Sequence, residues 1–416
     1  MEVHEKGENL ASYEIDKKYD TKLERNQCYL ITSFIFFIFF LSTINNLDKY
    51  IHIKTTRYIL RYSNLLYLIS FCSLHIQVEF LVGLDKGLLP VNKYLAEIKE
   101  KIECINLVVV KNVIYFVYSF WEYVIRKRIK IKTFCKLGIL ISVFNFLIQN
   151  NIHNDFFRIL TSSFFFVFLF FLHICFKIIM RDFMIFQCDL LMNEFGFLLI
   201  FLNLSDSYYL KYSNTLIICI LRLLSFKILF NSAVRKLGMQ WNIYDLKCFH
   251  FFYRIHYEFS CLNICNSYAM LTYTGYNRKE VVIEELHKVG ESYVWKEVPF
   301  KYKPNDLNKI GKILWWGHIP RLEWKFFFFP DHLKKEDYKK NIYPLYICSF
   351  LKKLCNRDLD LTSIFEDEQM ESVPLLIRLI YYDYKMINEE KNINNNNNIE
   401  MKTLNNKVIF LFLFFP

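Results

Sequence analysis

The chain has 416 residues, of which 54% are hydrophobic, 19% aromatic and 22% charged, and its formal net charge is +11. That is too apolar for an ordinary soluble protein and too charged for a chain lying wholly in a bilayer. The basic excess is scattered between apolar segments, where it reads as loop charge that sets topology. No Gly-rich phosphate loop, zinc spacing or nucleic-acid module accompanies it, so neither a nucleic-acid partner nor a cofactor is expected.

Residues 1–27 are mixed in charge and read as a disordered N-terminal segment. Residues 28–43 form an apolar run without the small-residue cleavage pattern of a secretory signal. That run is marginal in length for a span and reads as an extra, uncleaved anchor.

Residues 61–237 read as a multi-pass transmembrane domain of about six helices. The first runs from Arg61 to Val82, preceded by Lys54 and Arg57, and ends in the turn Gly83–Pro90. Pro90 is placed to start an amphipathic surface helix. Ile105–Ile125 is the next span, with Lys111 free to snorkel. Arg126–Lys136 then carries six basic residues and no acid, which predicts a cytosolic loop. Leu137–Asn150, Phe156–Met180, the segment around 183–204 and Thr215–Leu237 follow. Counted from Arg61, the alternation puts Arg61 and Arg126–Lys136 on the same side.

The segment 183–204 is unusual for a span. It carries Gln187, Asp189, Asn193 and Glu194, and ionisable groups at membrane depth are costly unless they face protein, water or a partner charge. Gln187 and Glu194 fall on one line of the helix, Asp189 and Asn193 on a neighbouring stripe. Lys227 lies near the middle of the last span, as Glu194 does in its own. Antiparallel neighbours would hold them at similar depth, and they are expected to pair. A role in fixing helix packing ranks ahead of proton transport or catalysis. Asn203-Leu204-Ser205 forms a glycosylation sequon too close to the bilayer for use.

After Tyr253 the periodicity changes. Glu280–Glu285 reads as a strand. Ser292–Lys303 alternates, with a slip at Glu297 that predicts a bulge or bend. Lys303-Pro304-Asn305-Asp306 reads as a turn. Residues 262–384 thus read as a β-rich soluble domain, and residues 385–416 as a low-complexity tail whose last apolar run is too short to span. The expected fold is a polytopic α-helical membrane domain followed by a β-rich soluble domain. The twelve cysteines include no CxxC pair. Cys261 and Cys265 form a weak CxxxC, Cys348 and Cys355 sit on one amphipathic stretch, and unpaired packing thiols are expected.

Several stretches taken in order resemble the lipase maturation factor family. They are Phe186–Leu198, with Gln187, Asp189 and Glu194; Phe226–Leu237, with Lys227, Ser232 and Lys236; and Trp241–Phe252, with Asp245 and Leu246. Further on come Asn266–Thr272, with Asn266 and Tyr268; Arg278 and Glu280; and Trp295–Leu307, with Trp295, Tyr302, Lys303, Pro304 and Asp306. His318–Trp324, with His318, Pro320, Arg321, Glu323 and Trp324, and Pro374–Tyr384 complete the series. Departures include Cys188 for Trp, Asn305 for Gly and Glu323 for Asp. The resemblance implies a multi-pass protein of the endoplasmic-reticulum membrane that is not an enzyme. Its implied partners are the lipid bilayer and secretory client proteins, lipases in the best-known members, whose folding and assembly it assists. The family offers no established catalytic residues, so Arg321 and Glu323 read as a structural latch. No G-x-S-x-G elbow supports a hydrolase. The competing reading is a membrane transporter or membrane-embedded enzyme using Asp189, Glu194 and Lys227. The resemblance also implies a lumenal C-terminal domain, whereas the count of spans places it in the cytosol. The family has further membrane segments where only Tyr253–Ile264 stands here, and an odd number of missing spans would resolve the conflict; the lumenal placement is adopted.

Overall fold

A computed structural model describes residues 51–103, 108–151, 154–205, 211–238, 277–298, 300–303, 312–314, 318–332, 344–358, 365, 373–385 and 402–413. The expectations for residues 1–27 and 28–43, for Asp245, Asn266, Tyr268, Pro304 and Asp306, and for Cys261 and Cys265 lie outside the described residues.

Among the described residues, seven α-helices come first: α1 (Ile51–Val82), α2 (Val91–Glu103), α3 (Val108–Arg126), α4 (Ile131–Asn151), α5 (Asp155–Met180), α6 (Gln187–Ser205) and α7 (Lys211–Gly238). Among the described residues, five helices are long and apolar enough to cross a membrane: Thr55–Val82, Val108–Arg126, Ile131–Asn151, Phe156–Met180 and Gln187–Leu204. The sixth expected span coincides with α7, which is long enough at 28 residues but is not one of the five; its outer turns lie beyond the residues with described side chains. Then come β1 (Asn277–Val289), β2 (Ser292–Glu297), α8 (Arg321–His332), α9 (Leu345–Asn356), β3 (Leu376–Lys385) and β4 (Lys402–Leu413). This is a helical membrane domain followed by a small antiparallel sheet region.

The chain forms two compact units. One comprises residues 1–63, 146–170 and 187–273; the other comprises residues 64–145, 171–186 and 274–416. The second unit therefore combines parts of the early helices with the sheet.

In that second unit, aromatic contacts fix helix direction. Tyr67 and Phe71 meet His173 with ring centroids 6.2 and 6.3 Å apart, and Phe71 meets Phe176 at 6.1 Å. Phe116 meets Phe171 at 5.5 Å, Trp121 meets Phe176 at 5.9 Å, and the Trp121 indole N–H donates to the Cys175 carbonyl at 3.0 Å. So α1, α3 and α5 run the same way. The opposite direction of α4 follows from two contacts. Asn145 donates to Asn64 at 2.8 Å, and Gly138 lies against Phe71, where a Cβ would come within 2.7 Å of the ring. A small residue there lets the two helices approach closely.

Parallel α1 and α3 require the chain to return between them. The N–H groups of Leu88 and Leu89 donate to the carbonyls of Phe80 and Leu81 at 2.9 Å, folding the turn back on α1. Then α2 runs back along α3, burying Val91, Leu95, Ile98 and Ile102, one face of a helix. Here the structure corrects the charge count. The end of α1 at His75 and Glu79 lies within electrostatic reach of Lys132 in α4, so Arg61 belongs toward the opposite end of α1 from the basic loop. The single buried face of α2 fits the amphipathic helix expected after Pro90, and α2 carries the chain back between α1 and α3.

The sheet has the order β2-β1-β3-β4, antiparallel throughout. The slip expected at Glu297 is the end of β2: Glu297 pairs with Glu284, and the next N–H, that of Val298, donates to the Ile283 carbonyl at 2.9 Å. Phe300 leaves the strand, forms an isolated bridge with Phe365, and packs its ring against Phe326, Phe350 and Phe365 at 5.4–5.9 Å. The expectation of an unstructured tail is corrected in part. Residues 402–413 form β4, which pairs with β3 along its length. An apolar run too short to span is long enough to cover a sheet edge.

Candidate functional site

In the first unit, α6 and α7 pack antiparallel through Leu198 and Leu224, with Leu190, Phe195, Leu221 and Ile228 around them. That places Glu194 beside Lys227. The ammonium donates to the carboxylate at 2.6 Å, with only 11% and 12% of the two side chains exposed. The pair neutralises both charges at membrane depth, which removes most of the penalty either would carry alone. Asp189 and Asn193 are buried on the neighbouring stripe, and Gln187 stands half-buried in the first turn. Lys227 meets Glu194, the partner expected from their common depth. Lys236 lies on the last turns of α7, beyond the described side chains.

The same unit holds a polar cluster that no single motif announced. Gln149 donates to Ser162 at 2.6 Å and to Asn203 at 3.1 Å, Arg158 donates to Gln149 at 3.2 Å, and Asn203 donates to Ser163 at 2.7 Å and to the Ile159 carbonyl at 2.9 Å. Asn203 is fully buried here, so its sequon is structural.

In the second unit, Arg321 at the start of α8 forms a latch, through partners the sequence did not indicate. Pro320 precedes α8 and accepts the Trp324 N–H at 3.0 Å, starting the helix. The first residue of α8, Arg321, is completely buried. Its guanidinium donates to the Phe183 carbonyl at 2.8 Å, and its backbone N–H donates to Gln77 Oε1 at 2.8 Å. Gln77 in turn donates to the Ile319 carbonyl at 3.2 Å and to Ser73 Oγ at 3.0 Å. The Trp324 ring meets Phe186 at 6.3 Å, and Phe183 meets Tyr346 at 6.0 Å. Asp182 lies within electrostatic reach of Lys325, whose ammonium burial pushes down.

Glu323 is buried beside the latch. Burial pushes its carboxyl up to about 7, against the pull of its backbone hydrogen bond and of Lys301. Tyr302 is raised too, chiefly by burial and then by Glu323. His318 is half-buried in the approach to α8.

The acids of β1 each meet a cation from a different element. Lys303 bonds Glu280 at 2.9 Å and the Val281 carbonyl at 3.3 Å. Arg378 of β3 bonds Glu284 at 2.5 Å, with its guanidinium 4.0 Å from the Trp295 ring centroid. Arg357 holds Glu285 in a fork at 2.9 and 2.5 Å, and His287 lies 2.9 Å from the same carboxylate. Such bidentate pairs fix orientation as well as charge. Of the motif residues, Trp295 and Lys303 thus bear on the sheet, Tyr302 lies near Glu323, and Arg321 and Trp324 hold the start of α8. Cys348 is exposed and Cys355 buried on α9, and both are free thiols.

Two family models match this chain. Residues 54–293 match the Lipase maturation factor transmembrane domain, and residues 264–407 match the Lipase maturation factor C-terminal domain. The chain belongs to the lipase maturation factor family. No curated protein and no solved structure matches it. Family membership explains why residues spread from Gln187 to Trp324 recur as motifs on two separate scaffolds. It also gives this multi-pass membrane protein a maturation-factor-like role, and the family is not one of known enzymes.

Within the second unit, Arg321 contacts the segment 181–186 that follows α5, and Gln77 near the end of α1. The aromatic contacts of α3 and α5 put that segment at the same end of the helices as Arg126. That brings together the basic loop after α3 and the docked start of α8. The two share one end.

Proposed function

We propose that this lipase maturation factor family member works in the endoplasmic-reticulum membrane, with its sheet domain on the lumenal side. There it assists folding and assembly of secretory clients, lipases among them. The observation that carries the reading is the latch. A soluble domain bonded to membrane helices through Arg321, Gln77 and Phe183 is held where a client would emerge at the bilayer. The charge argument for a cytosolic domain weakens once α1 is turned over. Lys54, Arg57 and Arg61 then belong to the other end of α1, so basic residues lie toward both ends. Proximity labelling from the Glu280–Trp324 region of the full chain tests the proposal. Maturing secretory proteins, lipases included, are expected among the labelled species. Labelling of cytosolic proteins alone would sink it.

A transporter or membrane-embedded enzyme built on Asp189, Glu194 and Lys227 is the weaker reading. Glu194 and Lys227 already neutralise each other at 2.6 Å, which suits packing better than proton exchange.

A further inference from the structure

The two faces of α8 have opposite fates. Leu322, Phe326 and Phe329 are buried, and Phe326 packs on Phe300 at 5.4 Å and on Phe350 at 5.0 Å. The other face carries Trp324, Phe327 and Phe328, spaced i, i+3, i+4. Trp324 is 41% exposed and Phe327 45% exposed. Their rings touch one another, Trp324 with Phe327 at 6.1 Å, Trp324 with Phe328 at 5.5 Å, and Phe327 with Phe328 at 5.2 Å. Exposed aromatic rings in a contiguous stripe are unusual on a surface facing only water.

The location of the stripe identifies its partner. Through Phe186 at 6.3 Å from Trp324, the stripe continues into Ile185, itself about half exposed. Phe186 is the residue immediately before Gln187, where a membrane-crossing helix begins. The latch holds the start of α8 against the segment that follows one span and near the end of another. The stripe therefore starts at the level where the chain enters the bilayer. Tryptophan favours that level, with its apolar body in lipid and its N–H in the headgroup layer. Lys325 on the flank places an ammonium near the same layer, over the Tyr346 ring at 5.8 Å.

We infer that α8 is an interfacial helix, laying Trp324, Phe327 and Phe328 into the headgroup–acyl boundary of the membrane that the spans cross. The soluble domain then has two attachments, the hydrogen-bonded latch and this lipid contact. The inference needs no particular client and holds on either side of the membrane.

The test uses the full chain in lipid nanodiscs. With phospholipids brominated near the headgroup, Trp324→Phe should reduce the quenched fraction of tryptophan fluorescence relative to the unaltered chain. Equal quenching in both overturns the inference. In parallel, Phe327→benzoylphenylalanine is introduced in cells, with Phe116→benzoylphenylalanine as the lipid-facing control. Irradiation should give phospholipid adducts at both positions. Adducts at Phe327 to a client or any other protein, or none while Phe116 labels lipid, would overturn it.

Discussion

Removing one partner of the Glu194–Lys227 pair tests whether these residues pack or react. Each side chain is about nine-tenths buried and the contact is 2.6 Å, so Glu194→Gln leaves an ammonium at membrane depth with a neutral amide as its closest partner. Breaking a buried pair costs about 3–5 kcal/mol. Taking the lower end for a pair that is not fully enclosed gives about 3 kcal/mol, on the order of a 100-fold change in the ratio of folded to unfolded protein. Lys227→Met should cost a similar amount by stranding the carboxylate. The double change Glu194→Gln/Lys227→Met removes both charges, and its cost should stay close to that of one single change. The expected coupling of about 2 kcal/mol or more is read from unfolding of the four proteins in one detergent by denaturant titration. Additivity of the single changes to within about 0.5 kcal/mol would refute the packing argument. Unchanged stability with complete loss of client maturation would point to chemistry instead.

Other consequences are open to measurement. Arg321→Met removes the guanidinium bond to the Phe183 carbonyl, and limited proteolysis of the full chain should release a fragment carrying the sheet faster; an unaltered rate contradicts the latch. Glu285→Gln strands Arg357 beside a neutral side chain and should destabilise the sheet domain by about 3 kcal/mol, against under 1 kcal/mol for changing the exposed ion pair Glu122–Arg126. For Glu323 the folded carboxyl titrates near 7 against an ordinary 4.5, so the folded state binds the extra proton between those values. Its contribution to stability is then lost as pH rises from about 4.5 to about 7, by at most roughly 3 kcal/mol. Glu323→Gln should accordingly raise the melting temperature at pH 8 more than at pH 5, with Lys301 and Tyr302 unaltered, and an equal effect at both pH values contradicts it. Finally, glycosylation sequons placed at Lys303–Leu307 and within Arg126–Lys130 should both gain glycan, while one glycosylated without the other breaks the shared-end assignment.

Sequence carried the ion pair further than it carried the topology. Glu194 and Lys227 were legible because mid-span polar residues in adjacent antiparallel helices must lie at one depth. The path of α1 was not, because Lys93, Glu97 and Lys99 make α2 look like a helix outside the bilayer, whereas its Val91–Ile102 face packs on α3. The partner of Glu285 was hidden for a different reason. Arg357 sits just past α9 in a left-handed conformation, φ 52°, and this turn aims it back at β1. Glu284 and Glu285, directly after the apolar run Val281–Ile283, were the available signal, since successive strand residues face opposite sides and one of the two must turn inward. Gln149, Arg158 and Asn203 come from three helices and meet only through packing, so no local pattern marks them. The strand β4 was missed because its asparagine-rich approach reads as low complexity, although the apolar run itself is a good edge strand.

The distribution of charge partners along β1 has a consequence for the order of synthesis. Glu285 is separated from Arg357 by 72 residues and Glu284 from Arg378 by 94. At ordinary elongation rates those cations follow the strand by on the order of 4 to 20 s. During that interval β1 has only its hairpin partner β2, and its other edge is an open template bearing Val281 and Ile283. The residues of α8 emerge partway through this wait, and Arg321 can dock on Gln77 and the Phe183 carbonyl before β3 exists. Early docking would hold the half-made sheet against the membrane and away from other nascent chains. A maturation factor would thus shelter its own slowest strand through the contact that later orients the finished domain.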